Sequence, residues 1–122
     1  MDVIISGQAF EHIEFFLLTW LGMVRVLKPR GLVFLIAPSR GPEHRFAVDC
    51  WRFYPDGYRA LAKYGGLELV EVSTDWEPSP YADSNWGATV GVFREPRFSV
   101  FARYRFVYSP EPGQSQFMRG SG

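Results

Sequence analysis

The sequence predicts an α/β fold, and three observations carry that expectation. Leu32-Val33-Phe34-Leu35-Ile36-Ala37 is an unbroken apolar run. A strongly amphipathic helix signal, closed by the turn Lys28-Pro29-Arg30-Gly31, stands just before it. A second short apolar strand, Val3-Ile4-Ile5, precedes the helix. Strand, helix and strand in this order suit a right-handed parallel crossover.

The first strand is expected over Asp2 to Ser6, with Gly7-Gln8 breaking it. From Glu11 onward the apolar positions are Ile13, Phe16, Leu17, Trp20, Leu21, Val24 and Leu27. This spacing follows the helical period and makes one wide apolar face. Glu11 and Glu14 fall in the expected first turn and Arg25 and Lys28 in the last, as the helix dipole prefers. Pro29 cannot continue a helix, and Gly31 can take the angles of a reversal. Leu32 to Ala37 shows no polar alternation, as expected of a strand covered on both faces.

Pro38 to Tyr54 has no period and reads as a long loop after a strand's C-terminal end. That edge is where open α/β sheets bind ligands. Pro55-Asp56-Gly57 opens a short helix carrying Tyr58, Leu61 and Ala62, and Gly65-Gly66 closes it. Leu67 to Ser73 and Thr89 to Phe93 are strands, with a Pro-containing loop over Trp76 to Trp86. Phe98 to Tyr108 alternates apolar and largely basic positions, a period-two strand. The domain is expected over residues 1–108. Residues 109–122, rich in Pro, Gly, Ser and Gln, are expected to be a disordered tail.

The totals narrow the function classes. A chain of 122 residues suggests one domain. Its hydrophobic fraction of 47% suits a globular chain. Lys plus Arg balance Asp plus Glu at 13 each, so bulk charge argues for neither nucleic acid nor membrane. Cys50 is the only cysteine, which fits a reducing cytosol. No apolar run approaches the ~20 residues of a membrane span, and no signal peptide is apparent.

Several of these segments resemble a known family. Asp2-Val3-Ile4-Ile5-Ser6, Phe10-Glu11-His12-Ile13, Arg25-Val26-Leu27-Lys28-Pro29-Arg30-Gly31 and the apolar strand after it look like the C-terminal half of a class I S-adenosylmethionine-dependent methyltransferase. The closest likeness is to the small-molecule group often called type 11, and it covers roughly residues 2 to 94. The segment Pro38 to Arg45, continued through Asp49-Cys50-Trp51-Arg52-Phe53, resembles an insertion in one branch of that group. The resemblance implies part of a doubly wound, Rossmann-like sheet, with parallel strands and a C-terminal antiparallel pair. It also implies methyl transfer from S-adenosylmethionine to a small-molecule acceptor. The family's glycine-rich cofactor loop and ribose-binding acid have no match in this chain, so the methyltransferase reading is of a truncated form. Relatives carry a second glycine where Arg30 stands and often a proline where Ala47 stands.

By that resemblance Ser6, Gly7 and Gln8 would sit beside the cofactor's sulfonium; otherwise they form an ordinary strand-to-helix turn. His12 and Glu11 would be the catalytic pair, with His12 as a base or orienting group. The alternative is that Glu11 serves the helix N-terminus and His12 packs there. His44, Arg45, Asp49, Trp51 and Arg52 would bind the acceptor, through charge and ring stacking. The alternative is a loop tied down by Arg–Asp pairs. His12, His44, Asp49 and Cys50 are metal-ligand types, but no pair has ligand spacing, so no metal is expected. Arg94, Arg97, Arg103 and Arg105 admit an RNA- or anion-binding reading, but the solvated face of an edge strand is the favoured account of them. Strand 2–6 lacks its family partner and is expected at a bare edge, where a homodimer would form, giving a non-catalytic interaction module as the other class of function.

Overall fold

The structure, a computed structural model, describes residues 1–76 and 85–97. The alternating strand at 98–108 and the tail at 109–122 lie outside the described residues. The described residues form one four-stranded sheet in the order β1-β2-β4-β3, from Val3–Gly7, Leu32–Arg40, Glu68–Thr74 and Gly87–Arg94 in chain order. β1 runs parallel to β2, with Val3 opposite Leu32 and Gly7 opposite Ile36. β4 is antiparallel to both β2 and β3. The parallel β-α-β unit and the later antiparallel pair are as the sequence predicts.

Helix α1, Phe16–Val26, starts later than its periodicity suggests. A single 3-10 turn, Phe10–His12, comes first, and Ile13 after it is extended. Phe10 and Glu11 are both buried in this turn. Phe10 packs on Trp20, Phe16 and Phe53, at ring separations of 6.5, 6.1 and 6.1 Å. The chain bends there to bury both side chains, and α1 is left with no acid in its first turn. Glu11 therefore does not serve the N-terminus of α1. The buried stripe is also narrower than expected, because Leu17 is 42% exposed.

The reversal after α1 places its left-handed angle on Arg30 (φ 66°) rather than on Gly31. Gly31 serves space instead: a Cβ there would lie 2.9 Å from the Lys28 carbonyl oxygen. Helix α2, Pro55–Gly65, opens on its proline and ends at Gly66 (φ 66°), as the sequence predicts. Leu67 N–H donates to the Ala62 carbonyl at 2.9 Å across this cap.

The core lies on one face of the sheet. Val33, Leu35 and Ala37 of β2 and Phe93 and Thr89 of β4 are buried there. Trp20 of α1 and Tyr58 of α2 both meet Phe93 on that face, at 4.7 and 5.6 Å between rings. Trp20 Nε1 donates to the Leu61 carbonyl, joining the helices. Tyr58 lies over Gly91, and its hydroxyl donates to the Thr89 carbonyl at 3.0 Å. Burial pushes that phenol well above the usual tyrosine range. The opposite face carries Val3, Ile5, Leu32, Phe34, Ile36, Val90 and Val92 by register. Ile5 is 74% exposed, and β2 is buried on one face only. The expectation that both faces of β2 are covered is thus corrected among the described residues, because α1 and α2 share one face. No helix among the described residues is long and apolar enough to cross a membrane.

Two substitutions should move stability in opposite directions. Gly91→Ala would put a Cβ 2.4 Å from the Tyr58 ring, and overpacking of this kind costs about 1–3 kcal/mol. Arg30→Gly removes a left-handed non-glycine angle and should gain about 1 kcal/mol. Urea unfolding of the two variants checks both signs.

Candidate functional site

The site forms where β1 and β2 end. After Gly7 the chain turns through Gln8 in the left-handed region (φ 51°), and Gln8 N–H donates to the Ile36 carbonyl at 2.9 Å. Nothing lies within 4 Å of where a Cβ of Gly7 would stand, so the turn faces open space. The 3-10 turn follows at once and delivers Glu11 and His12.

The loop between β2 and α2 lies against this turn. Cys50 N–H donates to the Glu11 carbonyl at 2.7 Å, and Trp51 Nε1 donates to the Ile13 carbonyl at 3.0 Å. His12 Nδ1 is 2.7 Å from the Val48 carbonyl oxygen. A carbonyl only accepts, so Nδ1 carries the proton and the neutral ring keeps its lone pair on Nε2. Phe53 N–H donates to the Pro38 carbonyl at 2.8 Å, closing the loop's far end.

Asp49 holds the loop's own shape. Its carboxylate, 1% exposed, accepts from Arg52 at 2.7 and 2.8 Å and from the His44 backbone N–H at 2.8 Å. The Arg52 guanidinium, followed by the His44 N–H, keeps this carboxyl well below the usual carboxylate range. Arg52 is in turn held above its ordinary value, chiefly by its hydrogen bond to Asp49. It also donates to the Pro42 and Trp51 carbonyls.

This fold of the loop carries His44 to His12. Their rings meet edge to face at 4.8 Å, and Trp86 and Phe46 stand around His44 at 4.8 and 6.1 Å. Glu11, His12 and His44 each offer a donor atom within 4.8 Å of the other two. Asp49 and Arg52 brace the loop beside this cluster, with Asp49 Oδ2 3.3 Å from His44 Nδ1. Arg45 pairs with Glu43 at the surface. Trp51 is half-exposed and packs its edge on Phe16 at 5.2 Å.

Sequence reasoning did not find the meeting of His44 with His12, nor Phe46 and Trp86 around it. The cluster joins positions that no local spacing connects. One signal was present in Gly41 (φ 140°), where a Cβ would fall 2.2 Å from Trp86. The loop can approach Trp86 only because residue 41 has no side chain.

The bracing gives an acid-dependent stability. The Asp49 carboxyl is lowered from an ordinary 3.8. Its contribution is complete above about pH 5 and is lost as pH falls from there through the lowered folded value. Asp49→Asn should reduce the melting temperature at neutral pH and flatten its fall between pH 5 and 2. Melts followed by circular dichroism across that range check this.

No family model and no curated protein matches the chain. Solved structures do. A candidate sarcosine dimethylglycine methyltransferase from Galdieria sulphuraria aligns at TM-score 0.58 and 19% identity, over 79% of this chain and 53% of that one. A candidate methyltransferase from Bacillus halodurans aligns at 0.62 and 14%, over 79% and 64%. Haemonchus contortus phosphoethanolamine N-methyltransferase 2, solved with phosphomonomethylethanolamine and S-adenosylhomocysteine, aligns at 0.56 and 13%, over 79% and 33%. The chain thus spans between 33% and 64% of the length of these three proteins. Strand order, the parallel β1–β2 crossover and these alignments agree: the chain carries part of the class I S-adenosylmethionine-dependent methyltransferase fold.

Proposed function

We propose that this chain is the acceptor-side part of a cytosolic S-adenosylmethionine-dependent methyltransferase acting on a small molecule. The observation that supports this most is the open turn Ser6-Gly7-Gln8 at the C-terminal end of β1, in a fold shared with methyltransferases. Ligands of open α/β sheets bind at that edge. The turn fits the methionine end of the cofactor, since Gly7 leaves room for close approach. The chain has no Gly-x-Gly-x-x-Gly loop, so much of the cofactor finds no cradle in it. When bound, S-adenosylmethionine supplies an electrophilic methyl group for direct displacement by an acceptor lone pair.

What the chain's own residues contribute is placement. A nucleophilic acceptor needs orientation more than acid–base help. The His12 ring, its tautomer set by Val48, presents a lone pair able to take a proton from the acceptor. Glu11 Oε1 lies 3.6 Å from Nε2 of that ring. His44 stands over the acceptor side, with Trp51 at the loop's margin. Arg45, Asp49 and Arg52 shape the acceptor loop.

A second reading rests on the exposed edge and face of β1. Val3 and Ile5 are 50% and 74% exposed, and β1 pairs with β2 alone among the described strands. An edge of this kind templates a partner strand, and we propose a homodimer through residues 2–6. The RNA- or anion-binding reading depends on Arg97 to Arg105, of which only Arg97 lies among the described residues.

Calorimetry on the 122-residue chain should show S-adenosylmethionine binding weaker than micromolar, because several charge-assisted contacts worth about 1.5–3 kcal/mol each are lacking. In a form extended by a glycine-rich half, transfer of a labelled methyl group to small-molecule acceptors is expected. His12→Ala should lower that turnover by about 100-fold, and more than His44→Ala does. Absence of transfer from the extended form, with its cofactor bound, would overturn the methyltransferase reading. Sedimentation should show a dimer; a folded monomer with fast-exchanging Ile4 and Ile5 amides would overturn the edge pairing.

A further inference from the structure

Glu11 sets an electrostatic problem that its protein neighbours answer only in part: the Arg52 guanidinium acts on it through space but makes no hydrogen bond to it. Its side chain is fully buried, and neither carboxylate oxygen has a hydrogen-bond donor. A buried carboxylate in that position needs a compensating cation or proton. The group facing it is the wrong kind. His12 Nε2 lies 3.6 Å from Glu11 Oε1, and with Nδ1 committed to the Val48 carbonyl that nitrogen presents a lone pair. Two acceptors facing each other across 3.6 Å repel unless a proton on Nε2 or a metal ion stands between them.

The third donor comes from the loop. A ring nitrogen of His44 completes a set whose members all lie within 4.8 Å of one another. We propose that Glu11, His12 and His44 hold a divalent first-row transition-metal ion. The separations suit this chemistry. Donors about 2.0–2.1 Å from one ion stand about 3.3 Å apart in a tetrahedron. The Glu11–His12 pair, at 3.6 Å, is nearly there already. A pair at the 4.8 Å limit must close by about 1.5 Å, a shift within reach of the His44 side chain on its loop.

The surroundings resemble those of metal ligands. A ligating histidine typically donates its other ring N–H to a backbone carbonyl or carboxylate, which fixes the ring and raises its basicity. His12 does so to Val48. His44 Nδ1 stands 3.3 Å from Asp49 Oδ2, out of line for a full hydrogen bond, so a small rotation of the ring would complete it. Phe46 and Trp86 wall the histidines with apolar rings. Two imidazoles with one carboxylate favour zinc or iron-type ions over magnesium or calcium. Three protein donors leave a coordination position open to an oxygen or nitrogen of a small molecule. With the ion in place, His12 acts as its ligand rather than as a free base. The inference does not rest on methyl transfer.

The test uses the full chain, stripped with chelator, and no methyl donor. Titration with Zn²⁺ in a calorimeter should show one equivalent bound at about 1 µM or tighter. Co²⁺ should give the visible absorption bands of a low-coordinate N/O site, and excess Mg²⁺ should not displace either ion. Glu11→Gln, His12→Gln and His44→Ala should each weaken Zn²⁺ binding by ~10-fold or more, while Cys50→Ser leaves it unchanged. Circular dichroism shows which variants fold. If Glu11→Gln does not, the two histidine variants decide. No saturable Zn²⁺ binding, binding that survives both histidine substitutions, or binding lost in Cys50→Ser would overturn the proposal.

Discussion

The carboxylate of Asp49 is the point on which the site depends. It is buried, and it gathers the Arg52 guanidinium and the His44 backbone N–H on its two oxygens. Arg52 then reaches back to the Pro42 carbonyl, ten positions earlier. A long loop has no repeating hydrogen-bond pattern of its own, so its shape must come from side chains of this kind. Once the loop is closed on Asp49, Val48 and Cys50 face the 3-10 turn and bond to it. His44 then arrives beside His12 and Glu11. One buried ion pair thus joins two segments that are far apart in sequence.

The scaffold beneath is set by unequal burial of the two sheet faces. Trp20, Tyr58 and Phe93 interlock on one face, and Gly65 and Gly91 are small enough to let the two large rings approach. The opposite face offers Val3, Ile5, Phe34, Val90 and Val92. An apolar face of this extent is a natural seat for further structure. Among the described residues β1 stands at the sheet's edge, paired with β2 alone.

Sequence periodicity made the elements legible where burial is local and repetitive. The apolar run at Leu32–Ala37, the Pro55 start and the Gly66 end of α2 all carry signals within a few residues. The start of α1 was not legible, because Phe10 and Glu11 are drawn into the core by Trp20 and Phe53, far along the chain. The reversal angle at Arg30 was missed for a related reason: Gly31 has the permissive backbone, but its lack of a side chain is used for close packing. Of the site, the turn at Gly7 and Gln8 and the chemical density of the loop were readable. The burial of Glu11 and the pairing of His12 with His44 were not, since both follow from tertiary closure of the loop. Residue type marked Asp49 and Arg52 as acceptor-binding candidates, and the structure shows the contacts by which they brace the loop.

The closure of that loop on the 3-10 turn is the central structural claim, and histidine NMR tests it most directly. At neutral pH the account predicts a nuclear Overhauser effect between the ring protons of His12 and His44, whose rings are centred 4.8 Å apart. It also predicts a His12 nitrogen spectrum of the Nδ1–H tautomer, protected from exchange by the Val48 carbonyl. Two independent, rapidly averaging histidines with no cross-peak would contradict it.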